Sequence, residues 1–187
     1  MKKVLVIVSL AVLAACNSKE PSKTESMKSG SDTSMNNMRD INSPYAVTYS
    51  SKFEMDDPKN AETLLNLWKV WDGGDLSKGK DVFADTVELH FADGSMMHTT
   101  RDSVTAAAQQ YRSSLGNATS RVDAIMAVKS TDKNEHWACI WGMETDNNKG
   151  KVDSFYLQET WRFNNAGKAD LMYQFRAGAT PPASMKK

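Results

Sequence analysis

Between residues 56 and 177 the apolar positions change period along the chain. Behind Asp57-Pro58, Ala61, Leu64, Leu65, Trp68 and Trp71 recur at spacings of three and four, the stripe of an amphipathic helix. Asp57 suits an N-cap, Pro58 the first helical position, and Gly73-Gly74 a stop. A short second helix is predicted over residues 76–83. Residues 86–91 then alternate and meet Asp93-Gly94, a turn signal. Residues 101–115 return to helical spacing, with Val104, Ala107, Ala108, Tyr111 and Leu115 near one face and Thr100 or Asp102 as cap. From there the period is two. Strands are predicted over residues 121–128, 135–145, 152–163 and 168–176. The last three are joined by polar turns, which reads as an antiparallel meander. Helices first and strands last make an α+β pattern, with one sheet face buried against the helices.

Alternation also assigns faces. On the third of these strands Phe155, Leu157, Glu159, Trp161 and Phe163 share a side, opposite Ser154, Tyr156, Gln158, Thr160 and Arg162. Glu159 therefore stands on an apolar face. On the fourth, Leu171, Tyr173 and Phe175 oppose Asp170, Met172, Gln174 and Arg176; on the second, Trp137, Cys139, Trp141 and Met143 share a side. Turning the aromatic sides inward gives a candidate ligand pocket of Trp68, Trp71, Tyr111, Trp137, Trp141, Leu157, Glu159, Trp161 and Tyr173. Glu159 is its polar anchor and a candidate general acid. Arg162 and Arg176 point the other way on this reading, so neither pairs with it. A carboxyl buried without a cation rises above its usual ~4.3. The same rings also serve simply to fill a core, and both readings stay open here.

The N-terminus has a different pattern. Met1-Lys2-Lys3 is basic, residues 4–15 are apolar apart from Ser9, and Cys16 follows. These are the parts of a secretory signal peptide. Twelve residues of helix span roughly 18 Å, short of the ~30 Å hydrocarbon core. Leu13-Ala14-Ala15-Cys16 resembles the lipobox of bacterial lipoproteins. The resemblance implies cleavage before Cys16, acylation of its thiol and attachment of the chain to a lipid bilayer. Asn17, where an aspartate would imply inner-membrane retention, points to the outer membrane facing the periplasm; Lys19-Glu20 resembles a surface-export tag and leaves surface exposure open. Residues 16–55 are mostly polar and read as the lipidated cysteine and a flexible tether, residues 56–177 as the domain, and residues 178–187 as a disordered tail.

Charge and cysteine content narrow the field. There are 23 basic and 23 acidic residues, so the formal net charge is zero, and no basic stripe follows the signal segment. That argues against nucleic acid as a partner. Cys139 is the one cysteine besides Cys16, so the domain has no disulfide of its own. Glu88 and His90 share a strand face and His98 follows the turn, but Val87, Leu89 and Phe91 form the more apolar side. Glu88 and His90 are therefore expected toward solvent or a dimer partner, away from Glu159. No metal site and no cofactor are expected.

The order of these features is similar to that of NTF2-like domains of the SnoaL-like type, a superfamily that includes ketosteroid isomerases and polyketide cyclases. AETLLNLWKVWDGGDL resembles its first helix and exit, DVFADTVELHFADG its second helix, first strand and turn, TTRDSVTAAAQQY its next helix, and LQETWRFNNAGKADLMYQF its closing hairpin. The resemblance implies a cone, with N-terminal helices packed on a strongly curved antiparallel sheet around a pocket, and in many members a homodimer through the outer sheet face. In ketosteroid isomerases a carboxylate base, a tyrosine and a protonated acid do the work. The acid falls here on Glu159, but the base falls on Leu89 and the tyrosine on Leu67. Leucine does neither job, so that reaction is disfavoured. Three functions stay open: a tethered binding domain for a small hydrophobic or aromatic molecule, a lyase-, isomerase- or hydratase-like enzyme using Glu159 as acid, and a dimeric structural module with a filled interior.

Overall fold

The structure, a computed structural model, describes residues 41–179. The signal segment, Cys16, most of the expected tether and the end of the expected tail lie outside the described residues. Strand β1 (Phe53–Met55) falls within the stretch read as tether and pairs with a strand of the sheet. Helix α1 (Lys59–Gly73) follows, its first turn closed by Asp57 Oδ1, which accepts from the Lys59 amide at 2.9 Å. The predicted second helix is a 3-10 helix, Leu76–Val82. Next come β2 (Phe83–His90), β3 (Met96–Thr100) and α2 (Arg101–Ser114), capped by the Thr100 hydroxyl on the Ser103 amide. The remaining strands are β4 (Asn117–Ser130), β5 (Glu135–Asn148), β6 (Lys151–Phe163) and β7 (Ala169–Gly178).

The seven strands form one sheet in the order β1-β4-β5-β6-β7-β2-β3. The expectation of a strongly curved antiparallel sheet is corrected here. The sheet is neither strongly curved nor closed. It ends in two unpaired edges, β1 and β3, and its β2–β7 pair is parallel. The parallel pair has a topological origin. The chain leaves β3 through α2, enters the sheet at β4, and returns by three hairpin-linked strands so that β7 docks beside β2 in the same direction. Alternation reports which face a residue takes, and carries no signal for curvature or closure.

The turns fix which residues meet. Lys149 and Gly150 both have positive φ, 54° and 88°, the backbone of a two-residue type I′ hairpin. That loop sets Asn148 opposite Lys151 and, further along, Ile140 opposite Glu159. In β4 a bulge between Val122 and Ala124 brings the backbone against β5, where Gly142 leaves the room: a Cβ there would lie 2.1 Å from the Arg121 carbonyl oxygen. Leu64, Val87, Ile140 and Phe163 are fully buried in the core between helices and sheet.

Candidate functional site

The helices do not fill the space over the sheet. A cavity of about 740 Å³ lies among α1, the 3-10 helix, α2 and the inner face of the sheet. Most of its wall is apolar, contributed for example by Phe83, Met97, Val104, Phe155, Leu157 and Met172. The polar lining includes Asp93, Ser120, Glu144, Glu159, Gln174 and Arg176.

Glu159 is buried and faces this cavity. Its Oε2 accepts from the indole nitrogens of Trp68 (2.8 Å) and Trp161 (3.0 Å), and its Oε1 from Gln174 Nε2 (3.0 Å). All three partners are neutral donors. α1 supplies Trp68, β7 supplies Gln174 from the position opposite Glu159, and Trp161 comes from the same strand face two residues on. The carboxyl group ties helix to sheet, and no neighbour in this set accepts a proton from it.

Glu144 lies on the same wall, opposite Phe155 on β6 and Ser120 on β4. It is 5 % exposed, and Asp146, two residues along the same face, is 8 % exposed. Burial pushes the Glu144 carboxyl up to about 8, and the negative charges of Asp146 and Glu159 add to the shift. Burial also raises Asp146, opposed by hydrogen bonding with Glu144 and by the Arg112 and Arg176 charges. Two carboxyls this close resist ionising together. Two polar atoms beside them are buried with no hydrogen-bond partner, Asp146 Oδ1 and the Trp71 indole nitrogen. Trp71 sits close enough to Glu144 to favour its charged form, without making a hydrogen bond of good geometry. The nearby cations are committed elsewhere. Arg112 donates to the carbonyls of Trp71 (2.7 Å), Gly116 (2.7 Å) and Asp72 (3.1 Å). Arg176 pairs with Asp153 at 3.5 Å and lies over the Phe155 ring.

The cavity brings together Trp68, Trp71, Tyr111, Leu157, Glu159 and Trp161 of the sequence-predicted set. Trp137, Trp141 and Tyr173 are not part of its lining, and the expectation that they are is corrected by register. Since Ile140 opposes Glu159, the inward side of β5 is Ala138, Ile140, Gly142, Glu144 and Asp146, which turns the aromatic side of that strand outward. Trp137 packs edge-on against Tyr49, and Trp141 lines a shallow outer groove with Tyr156 and Phe175. On β7 Gln174 opposes Glu159 and Arg176 opposes Leu157, so the even positions face inward. Tyr173 is outside, stacked on His90, whose Nε2 meets Glu88 Oε1 at 2.6 Å. Arg176, expected to point away, lines the cavity. Leu67 and Leu89, on which the sequence resemblance put the tyrosine and base of an isomerase, also line it. Those positions face the cavity but carry no chemistry. Glu144 was missed from the sequence because the Trp137–Met143 side of β5 is the more aromatic. The signal that finds it is the Lys149-Gly150 turn, from which counting back puts Glu144 opposite Phe155 and so on the same inner face as Glu159.

No protein-family model matches the chain, and no curated protein does. Solved structures match its fold. An NTF2-like protein of unknown function from Exiguobacterium superposes with a TM-score of 0.52 at 12 % identity, covering 62 % of this chain and 98 % of that one. The fold is NTF2-like. A putative ketosteroid isomerase from Kribbella flavida (TM-score 0.54, 11 % identity, 71 % of this chain and 91 % of that one) shares it. So does an epoxide hydrolase from M. tuberculosis of the LEH-like type (TM-score 0.54, 8 % identity, 64 % and 83 %). The NTF2-like fold of this chain holds a cavity of a size and lining that accommodate a small molecule.

Proposed function

We propose that this chain is a membrane-tethered binding domain that holds a small hydrophobic or aromatic molecule in its cavity. The carrying observation is the volume of about 740 Å³ left open between helices and sheet behind a largely apolar wall, which also counts against an interior filled by side chains. Ligand sites commonly have this form, apolar with a few polar groups to fix orientation. The tether rests on the sequence alone: the lipobox-like Leu13-Ala14-Ala15-Cys16 and the polar stretch after it support acylation of Cys16 and an outer-membrane position. Exposed Trp141, Tyr156 and Phe175 on the outer face support a homodimer.

Native mass spectrometry of the protein as purified tests the binding reading. Retained mass of a few hundred daltons, released by organic solvent, is expected; trace-free protein whose tryptophan fluorescence responds to no hydrophobic compound sinks it. Labelled palmitate entering wild type and not Cys16→Ser tests the tether.

A second reading has one specific observation behind it. A buried acid raised to about 8 holds its proton at neutrality and suits general acid catalysis. That acid is Glu144; Glu159, the acid expected from sequence, faces only donors.

A further inference from the structure

The carboxyl groups at the polar end of the cavity have no cation among the described residues in direct contact with them, although Arg176 lines the same cavity. Three carboxyl groups, Glu144, Asp146 and Glu159, stand on one face of β5 and β6. Among the described residues no salt bridge joins any of them to a cation. Trp71 from α1, Ser120 from β4, Asp146 on its own strand and Glu159 from β6 surround Glu144, while Arg112 from α2, Asp153 from β6 and Arg176 from β7 act on Asp146. Ser120, opposite Glu144, already donates to Asp72 at 2.8 Å. Arg112 is spent on backbone carbonyls, and Arg176 on Asp153 and Phe155. Within the same pocket stand Trp68, Trp71 and Trp161, the side-chain type that best attracts a cation over its face. Behind Glu144, Asp146 does not itself line the cavity, and its buried Oδ1 accepts no hydrogen bond.

We propose that the ligand is an organic cation, an amine carried on a hydrophobic or aromatic body, with its ammonium seated at Glu144 and its body against the tryptophan walls. This rests on the binding reading above and names its ligand class. A bound ammonium supplies the direct ion pair that neither Arg112 nor Arg176 makes with Glu144. Glu144 then gives up its proton to solvent, accepts from the ammonium, and becomes an acceptor for the orphaned indole N–H of Trp71. Binding is therefore coupled to release of about one proton near neutrality. An aliphatic amine keeps its charge below about pH 10. Since Glu144 holds its proton up to about 8, affinity falls as pH drops below that value.

The test is calorimetry on the full chain with three matched probes: 2-(2-naphthyl)ethylamine, 2-(2-naphthyl)ethanol and 2-naphthylacetate. At pH 7.5 the amine is expected to bind roughly tenfold or more tighter than the alcohol, the carboxylate weakest of all. Amine affinity should fall by up to roughly tenfold per unit below pH 8, one pK unit corresponding to tenfold. Repeating the titration in buffers of different ionisation enthalpy should show net proton release. In Glu144→Gln, which keeps shape and hydrogen bonding, the preference for amine over alcohol should collapse to under about threefold, with proton release gone. Alcohol binding as tightly as amine overturns the proposal and leaves the binding reading standing. A preference that survives in Glu144→Gln overturns it as well. If no probe binds at any pH, the binding reading falls and this one with it.

Discussion

Glu159 and Glu144 stand on the same inner face of neighbouring strands, both nearly sealed from solvent, and their surroundings are opposite in kind. Glu159 has a bed of donors: Trp68, Trp161 and Gln174 each aim an N–H at it. Glu144 has a second carboxyl two residues away and a donor, the Trp71 indole, that does not complete its bond. A buried polar group with all its partners belongs to the architecture. One whose neighbours are left incomplete has unspent interaction energy, and a ligand can collect it. The first glutamate holds α1 to the sheet; the second addresses whatever enters the cavity.

The largest expected effect breaks the first bed. Glu159→Ala leaves Trp68, Trp161 and Gln174 as buried donors without an acceptor, and should cost roughly 3–5 kcal/mol in urea unfolding at about 1–3 kcal/mol per orphaned group, less what relaxation recovers. A loss under about 1 kcal/mol would mean the three bonds are incidental.

The next effect sharpens the comparison through pH. The folded-state value of Glu144 is raised above that of the unfolded chain, so the folded protein binds the extra proton. Its contribution is fully present below about pH 4.5 and is lost as pH rises toward about 8. Stability should fall across that window, at no more than about 1.4 kcal/mol per unit. Glu144→Gln should remove the slope and match or exceed wild type at pH 8. An equal slope in the variant would place the titrating group elsewhere.

A smaller effect compares two tryptophans one helical turn apart. Trp68→Phe deletes a made hydrogen bond and should cost about 1–3 kcal/mol. Trp71→Phe deletes an N–H that has no partner, so its loss should come from ring size alone and stay about 1 kcal/mol smaller. Equal losses would erase the distinction between the two beds.

Much of this architecture is legible from periodicity. The stripe from Ala61 to Trp71 marks α1, Thr100 marks the start of α2, and alternation turns Glu159 toward the apolar side. The elements that escape are those whose stability comes from partners. β1 is three residues paired to β4, and β3 is a polar edge strand whose sequence, MMHTT, carries little alternation. The parallel β2–β7 pair and the modest curvature depend on how distant segments dock, which no local period records. For the site, the sequence is misleading where aromatic residues sit on the outer face. Trp141 and Phe175 look like core and are exposed, while Glu144 and Arg176 look like surface and face the cavity. Hairpin register resolves both cases, because face is inherited across a strand pair from Glu159.

Isotope-edited infrared titration of the ligand-free protein, with labelled glutamate carboxyls, tests the difference between the two beds most directly. A carboxylic-acid band persisting above pH 7 in wild type and absent from Glu144→Gln is the predicted result. No such band above pH 6, or a band that survives in Glu144→Gln, would contradict the account.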